Sequence, residues 1–191
     1  MVHKALIMLT SVLLIANLLF LANSLITPSI NINCCIASAI ILHYFLLVAF
    51  LLMLIVSVTQ YLTFVKIFNY HIEHFMVKSS IFAFGLPIMV PLTISCLDPQ
   101  LYVNDVQSVC WLYGTALYIS FITPISVVSL VNLAFFIVII VNIFKKPNVQ
   151  TQTYRKSSAN IKRNQIGASL SCFVIMGTLL KYLKFSFYFF N

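Results

Sequence analysis

The sequence predicts an all-α fold, a polytopic bundle of transmembrane helices with five spans in a single domain covering residues 1–191. Three observations predict it. Of the 191 residues, 62% are hydrophobic and only 7% charged, where an ordinary soluble domain carries roughly 25% charged residues. A chain this short keeps about a third of its surface exposed when folded, so in water much of that apolar area would stay uncovered. Five apolar runs are long enough to cross the hydrocarbon core, which takes about 20 residues as a helix. The basic residues alternate from loop to loop in the pattern that sets orientation in a membrane.

The first run, 5–26, is filled mostly by Leu, Ile, Val and Phe, with Asn17 and Asn23 its strongly polar interruptions. Its basic start and the tripeptide Ala22-Asn23-Ser24 also resemble a cleavable signal peptide. The run exceeds the usual 7 to 15 apolar residues of a leader, roughly speaking, which favours a retained helix. Runs 35–64, 79–96 and 116–144 follow, and the fifth, 166–190, carries Lys181 and Lys184. None alternates with period two, as a barrel wall facing lipid and lumen must. No internal repeat suggests a transporter built from duplicated halves.

His3 and Lys4 precede the first run, Lys66 and Lys78 flank the second loop, and Lys145, Lys146, Arg155, Lys156, Lys162 and Arg163 crowd the fourth. The first loop, 27–33, and the third, 97–115, contain no Lys or Arg, and the third carries Asp98 and Asp105. By the positive-inside rule the amino terminus and the second and fourth loops are cytoplasmic, and the other two loops face outward. The expected location is a multi-pass place in the plasma membrane. A net charge of +8 could also serve nucleic acid. Its placement between apolar runs instead assigns it to membrane orientation, so the expected partner is lipid and no nucleic acid.

Only three residues are acidic, which leaves almost nothing for a carboxylate-based hydrolytic site. No nucleotide-binding glycine pattern or nucleophile elbow occurs, so no enzyme is expected. His71 and His74 bracket Glu73, but two ligands do not make a metal site, and neither metal nor cofactor is expected. No intramembrane Asp or Glu lines a path for ions, which disfavours a channel or transporter. The basic fourth loop, with Ser157 and Ser158, suits anionic lipid.

Of the five cysteines, the charge-derived topology puts Cys34, Cys35, Cys96 and Cys110 at or near the outer surface, with Cys172 elsewhere. That is the oxidising side, where disulfides persist. A bridge from Cys35 to Cys110 would pin the longest outer loop over the bundle. Cys34 and Cys96 compete as partners, and free buried thiols are the other outcome.

Several segments resemble a known family. Cys35 followed by His43, Tyr44 and Phe45, with Tyr61 and Val65-Lys66-Ile67-Phe68 at the inner end, closely resembles the third transmembrane helix of adhesion-class G-protein-coupled receptors. These are the secretin-like receptors with an autoproteolysed ectodomain. Gly85-Leu86-Pro87 resembles the family's fourth helix, Cys110-Trp111 its second extracellular loop, and Val131-Asn132 with Phe135-Phe136 its fifth helix. The five runs would then be the family's second to sixth helices.

The resemblance implies a Cys35–Cys110 disulfide and places Trp111 toward the ligand-side mouth, with His43, Tyr44 and Phe45 in the ligand-side bundle. It implies an intracellular polar network containing Ser57, Gln60 and Tyr61. For His43 and Tyr44, helix packing across the bundle is the simpler role. The implied function is transmission of an extracellular signal, a tethered peptide agonist, to a heterotrimeric G protein. No ectodomain precedes the first run and the family's first and seventh helices lack counterparts, so that peptide would arrive in trans. Leu52 and Val56 stand where the family usually carries Trp and Glu, Phe84 replaces a fourth-helix Trp, and no Trp follows Gly177-Thr178. Those departures touch the family's activation switch. The alternative is a truncated, non-signalling membrane protein of the same ancestry, acting only as an interaction partner.

Overall fold

The computed structural model describes residues 2–25, 31–65, 75–103 and 110–145. The fifth predicted run, Cys172, Gly177-Thr178, His71 to His74, Asp105, Lys66 and the basic residues from Lys146 to Arg163 lie outside the described residues. Among the described residues every regular element is helical, and four helical stretches are long and apolar enough to cross a membrane.

Helix α1 is Val2–Leu25 and α2 is Ile32–Val65. Asn31 starts α2 by capping it: its Oδ1 accepts from the backbone N–H of Asn33 at 3.0 Å and of Cys34 at 3.4 Å. That satisfies donors that have no partner in a first helical turn. The cap lies outside the apolar run, which is why the helix begins before the predicted residue 35. Neither Gly nor Pro interrupts α2, and its 34 residues reach about 51 Å. The hydrocarbon core is about 30 Å thick, so α2 either tilts or extends past it.

The third crossing is composite. Helix α3, Phe75–Gly85, passes through a 3-10 turn, Leu86–Ile88, into α4, Met89–Leu97. Pro87 and Pro91 each lack the N–H an α-helix would use there, so the ladder tightens locally. The fourth crossing is composite too. Helix α5, Gly114–Leu117, runs through one π-helical turn, Tyr118–Ile122, into α6, Thr123–Lys145. Pro124 withholds another N–H, and Thr123 satisfies the Tyr118 carbonyl with its backbone N–H and with its hydroxyl at 2.8 Å.

The chain divides into two compact units. In the first, Met1–Val56 with His71–Val131, α1 buries Ala5, Leu9, Val12 and Ala16, spaced alternately three and four residues apart on one face. The small residues Ala5, Ala16, Ala39 and Ala83 are buried, as close helix approach in a membrane requires. Ser80 Oγ lies 3.6 Å from Met8 Sδ, where α3 meets α1. In the second unit, Ser57–Tyr70 with Asn132–Asn191, the rings of Tyr61 and Phe135 lie 5.5 Å apart. Thr59, Gln60 and Asn132 are buried there.

Candidate functional site

Two short segments bring the site together within the first unit. After α4, Asp98 accepts from the Gln100 N–H at 2.9 Å and caps a 3-10 turn, Pro99–Tyr102. That turn delivers Tyr102 fully buried. Further along, Gly114 adopts φ +64° at the start of α5, a conformation that only Gly adopts without strain. Just before it, the Tyr113 N–H donates to the Leu101 carbonyl at 3.2 Å, which ties the stretch 110–113 to the 3-10 turn.

Cys35 and Cys110 are joined by a disulfide, with 5.3 Å between their Cα atoms. It is the pairing that the family resemblance implies. Cys34 and Cys96, its competitors on paper, are free and exposed. A buried amide holds the same junction. Asn23 of α1 donates to the Cys110 carbonyl at 2.7 Å, and its Oδ1 lies 2.7 Å from Ser38 Oγ of α2. The Ser38 hydroxyl also lies 2.9 Å from the Cys35 carbonyl, so its one proton is shared.

The disulfide sets the position of the next residue, Trp111. Its ring meets Phe121 edge-on at 5.4 Å and His43 at 6.2 Å. His43 in turn meets Phe121 edge-on at 5.5 Å. Its Nδ1 lies 3.1 Å from the Tyr102 hydroxyl, while Nε2 has no hydrogen-bond partner among the described residues. Burial holds the Tyr102 phenol above its ordinary range, so it stays protonated and able to donate. Edge-to-face rings add roughly 0.5–1.5 kcal/mol per pair beyond their buried area. The cluster therefore couples α2, the two outer segments and the π-helical turn as one packed body.

The other predicted residues lie around this cluster or apart from it. Tyr44 is half-buried, donates to the Phe84 carbonyl at 3.0 Å and meets Phe45 edge-on at 5.3 Å. Phe84 thus offers its backbone to a neighbouring helix whatever its side chain. Leu52 and Val56 are buried. Ser57, Gln60 and Tyr61 belong to the second unit and are not part of the cluster. Among the described residues no three His, Cys, Asp or Glu side chains converge as metal ligands.

Sequence reasoning did not assign Asn23, Ser38, Tyr102 or Phe121 to the site. Asn23 stood out as a polar residue in an apolar run, and Tyr102 follows a cap and proline pair, Asp98-Pro99. Phe121 carries no local signal among 17 phenylalanines.

Comparison with known proteins gives a consistent picture. A family model described as 7 transmembrane receptor (Secretin family) matches residues 1–188. The chain is similar to the human adhesion G-protein coupled receptor G4, 35% identical over 157 residues that cover 80% of this chain and 5% of that protein. It is 33% identical to the human adhesion G-protein coupled receptor G2 over 175 residues, 86% of this chain and 17% of that protein. A zebrafish (Danio rerio) adhesion G-protein coupled receptor G6 is 26% identical over 151 residues, 73% of this chain and 13% of that protein. The chain thus spans less than a fifth of the length of each of these three relatives.

Proposed function

We propose, since the chain belongs to the adhesion branch of the secretin family of seven-transmembrane receptors, that it receives an apolar peptide at its outer side. It passes that signal to a heterotrimeric G protein at its inner side. Transmission is by helix rearrangement, and no chemistry is catalysed. The observation that carries this reading is the Trp111–His43–Phe121 cluster. A loop residue set by a disulfide packs there on side chains of two membrane crossings. A ligand that moves Trp111 would press on α2 and on the π-helical turn.

The amino terminus is cytoplasmic in this reading, because Lys and Arg are absent from 27–33 and 97–115 and crowd the stretch 145–163. That basic stretch is the contact for the G protein, and the peptide is a tethered agonist.

The test is a second-messenger assay on surface-localised chain, with and without a synthetic apolar agonist peptide. A peptide-dependent response is expected, and Trp111→Ala should shift it to roughly tenfold higher peptide concentration or more, as for a buried aromatic hot spot. Absence of any response at verified surface expression would sink the signalling reading. Leu52 and Val56, both buried at positions where the family resemblance leads one to expect Trp and Glu, favour a second reading. In it the chain does not signal and acts on a full-length receptor as an interaction partner. Co-expression would then lower that receptor's response, and the peptide would do nothing to the chain alone.

A further inference from the structure

Pro124 leaves one carbonyl of the fourth crossing without its regular donor. In an α-helix the Ser120 carbonyl accepts from the N–H of residue 124, and proline has none. The proline ring also crowds that carbonyl. Ser120 lies within the π-helical turn, Tyr118–Ile122. The hydroxyls nearby are engaged elsewhere: Ser120 donates to the Ala116 carbonyl at 2.6 Å, Thr123 to Tyr118 at 2.8 Å and Ser126 to Ile122 at 2.8 Å. Within a membrane, a carbonyl deprived of its helical donor calls for one from a neighbouring helix.

His43 of α2 stands against this turn. Its ring meets Phe121 edge-on at 5.5 Å, and the Ser120 backbone carbonyl lies beside the imidazole. The ring is fully buried. Its Nδ1 is engaged with Tyr102 at 3.1 Å, and Nε2 has no partner of full hydrogen-bond geometry among the described residues, so Nε2 is the nitrogen left for Ser120. A neutral imidazole has one N–H and one bare nitrogen. With the proton on Nδ1, the bare Nε2 would meet the Ser120 carbonyl as acceptor against acceptor, and the Tyr102 proton would find no place at the ring. With the proton on Nε2, the Tyr102 hydroxyl donates to Nδ1 and the Nε2–H has an acceptor. Only the second arrangement matches every group. Tyr44, the next residue, follows the same pattern: it donates to the Phe84 carbonyl at 3.0 Å, just before the 3-10 turn of the third crossing.

We propose that His43 is a positioning residue for the fourth crossing: its Nε2–H donates to the Ser120 carbonyl that Pro124 leaves without a helical donor, while its Nδ1 accepts from Tyr102. The outer 3-10 turn, α2 and the π-helical turn are then joined through one ring. This pairing is a matter of donors and acceptors and stands without the receptor reading. Its consequence rests on that reading. A ligand that shifts Trp111, whose ring is 6.2 Å from that of His43, loads a side chain hydrogen-bonded to the turn. It thereby acts on the backbone of the fourth crossing as well as on ring packing.

The test uses the full chain in detergent or bilayers. With histidine labelled by nitrogen-15, and the His43 signals assigned by their loss in His43→Gln, magnetic resonance at neutral pH should show Nε2 protonated and Nδ1 bare. The proton on Nδ1, or an even mixture, overturns the proposal, and this measurement reads the unmodified chain. A double-mutant cycle supplies the second readout. In His43→Asn the amide reaches only the Nδ1 position, whereas in His43→Gln it carries an N–H to the Nε2 position. His43→Asn should therefore unfold roughly 2–4 °C below His43→Gln, the shift expected for one buried bond. Pro124→Ala gives the Ser120 carbonyl a backbone donor, so in that background the gap between the two should close. No gap with Pro124 in place, or one of equal size in both backgrounds, would mean that only packing differs and would also overturn the proposal. The peptide response separates this inference from the receptor reading. No response, with tautomer and cycle as expected, sinks that reading and leaves the pairing standing; a response with the proton on Nδ1 does the reverse.

Discussion

Asn23 ties three segments with one side chain, reaching from α1 to Ser38 of α2 and to the carbonyl of Cys110, 87 residues away. Replacing it by Leu keeps the apolar character of the helix and leaves the Cys110 carbonyl without that donor. Asn23→Leu should cost about 0.5–1.5 kcal/mol for each of the two hydrogen bonds it removes. The check is the thermal unfolding midpoint of the purified chain in detergent. An unchanged midpoint would mean that the disulfide alone holds the junction. Tyr102 offers a second test, through pH. Burial holds its phenol above the ordinary value of about 10, so the unfolded chain loses this proton before the folded chain does. Stability should therefore fall as pH rises through about 10, and Tyr102→Phe should lessen that alkaline loss while removing the hydroxyl beside His43. Comparing unfolding midpoints of the two proteins from about pH 9 to about pH 11 tests both sign and residue. A parallel decline in both would assign the effect to other groups.

At the scale of elements, the composite crossings show where backbone geometry departs from a plain helix and why. Gly114 and Gly85 make a matched pair. A methyl group added at either would meet no atom within 4 Å, yet Gly114 has φ +64° and Gly85 has φ −78°. Space is therefore not the variable; backbone conformation is. Gly114→Ala should destabilise by about 1–2 kcal/mol, the cost of a left-handed L-residue. Gly85→Ala should stabilise by about 0.5–1 kcal/mol, through a less flexible unfolded chain. Opposite signs in thermal unfolding are the expected result, and equal signs would show that the start of α5 tolerates an ordinary φ. The prolines at 87, 91 and 124 each remove a donor from a helix interior, a local signal that the expectation of plain apolar runs passed over. The kind of irregularity was not legible: a 3-10 turn follows Gly85 and a π turn precedes Thr123. Which one forms depends on what neighbouring groups take up the freed carbonyls, as the Thr123 hydroxyl does for Tyr118.

For the whole molecule, the Cys35–Cys110 bridge closes a loop of 75 residues, worth roughly 4–5 kcal/mol on the chain-entropy model. Substituting Cys35 or Cys110 by Ser should abolish the difference in gel mobility between reduced and unreduced chain, and Cys172→Ser should not. Equal loss for all three would point to another pairing. Protease protection in microsomes should shield residues 97–115, as the absence of Lys and Arg from that stretch predicts. Digestion from the cytosolic side would reverse the orientation and undo the peptide-receptor reading. By itself the sequence determined the medium, the helical class, the four described crossings to within a few residues and the regions of contrasting charge. These follow from hydropathy and charge summed over local windows, and such sums need no knowledge of neighbours in space. Only the tertiary structure decided that Asn23 clamps the disulfide junction, that Tyr102 and Phe121 complete the cluster around His43, and that Asn17 faces outward while Asn23 faces in. The two asparagines sit in one apolar helix with similar neighbours, so their fates depend on which face of α1 is occupied, and that is set by residues far along the chain.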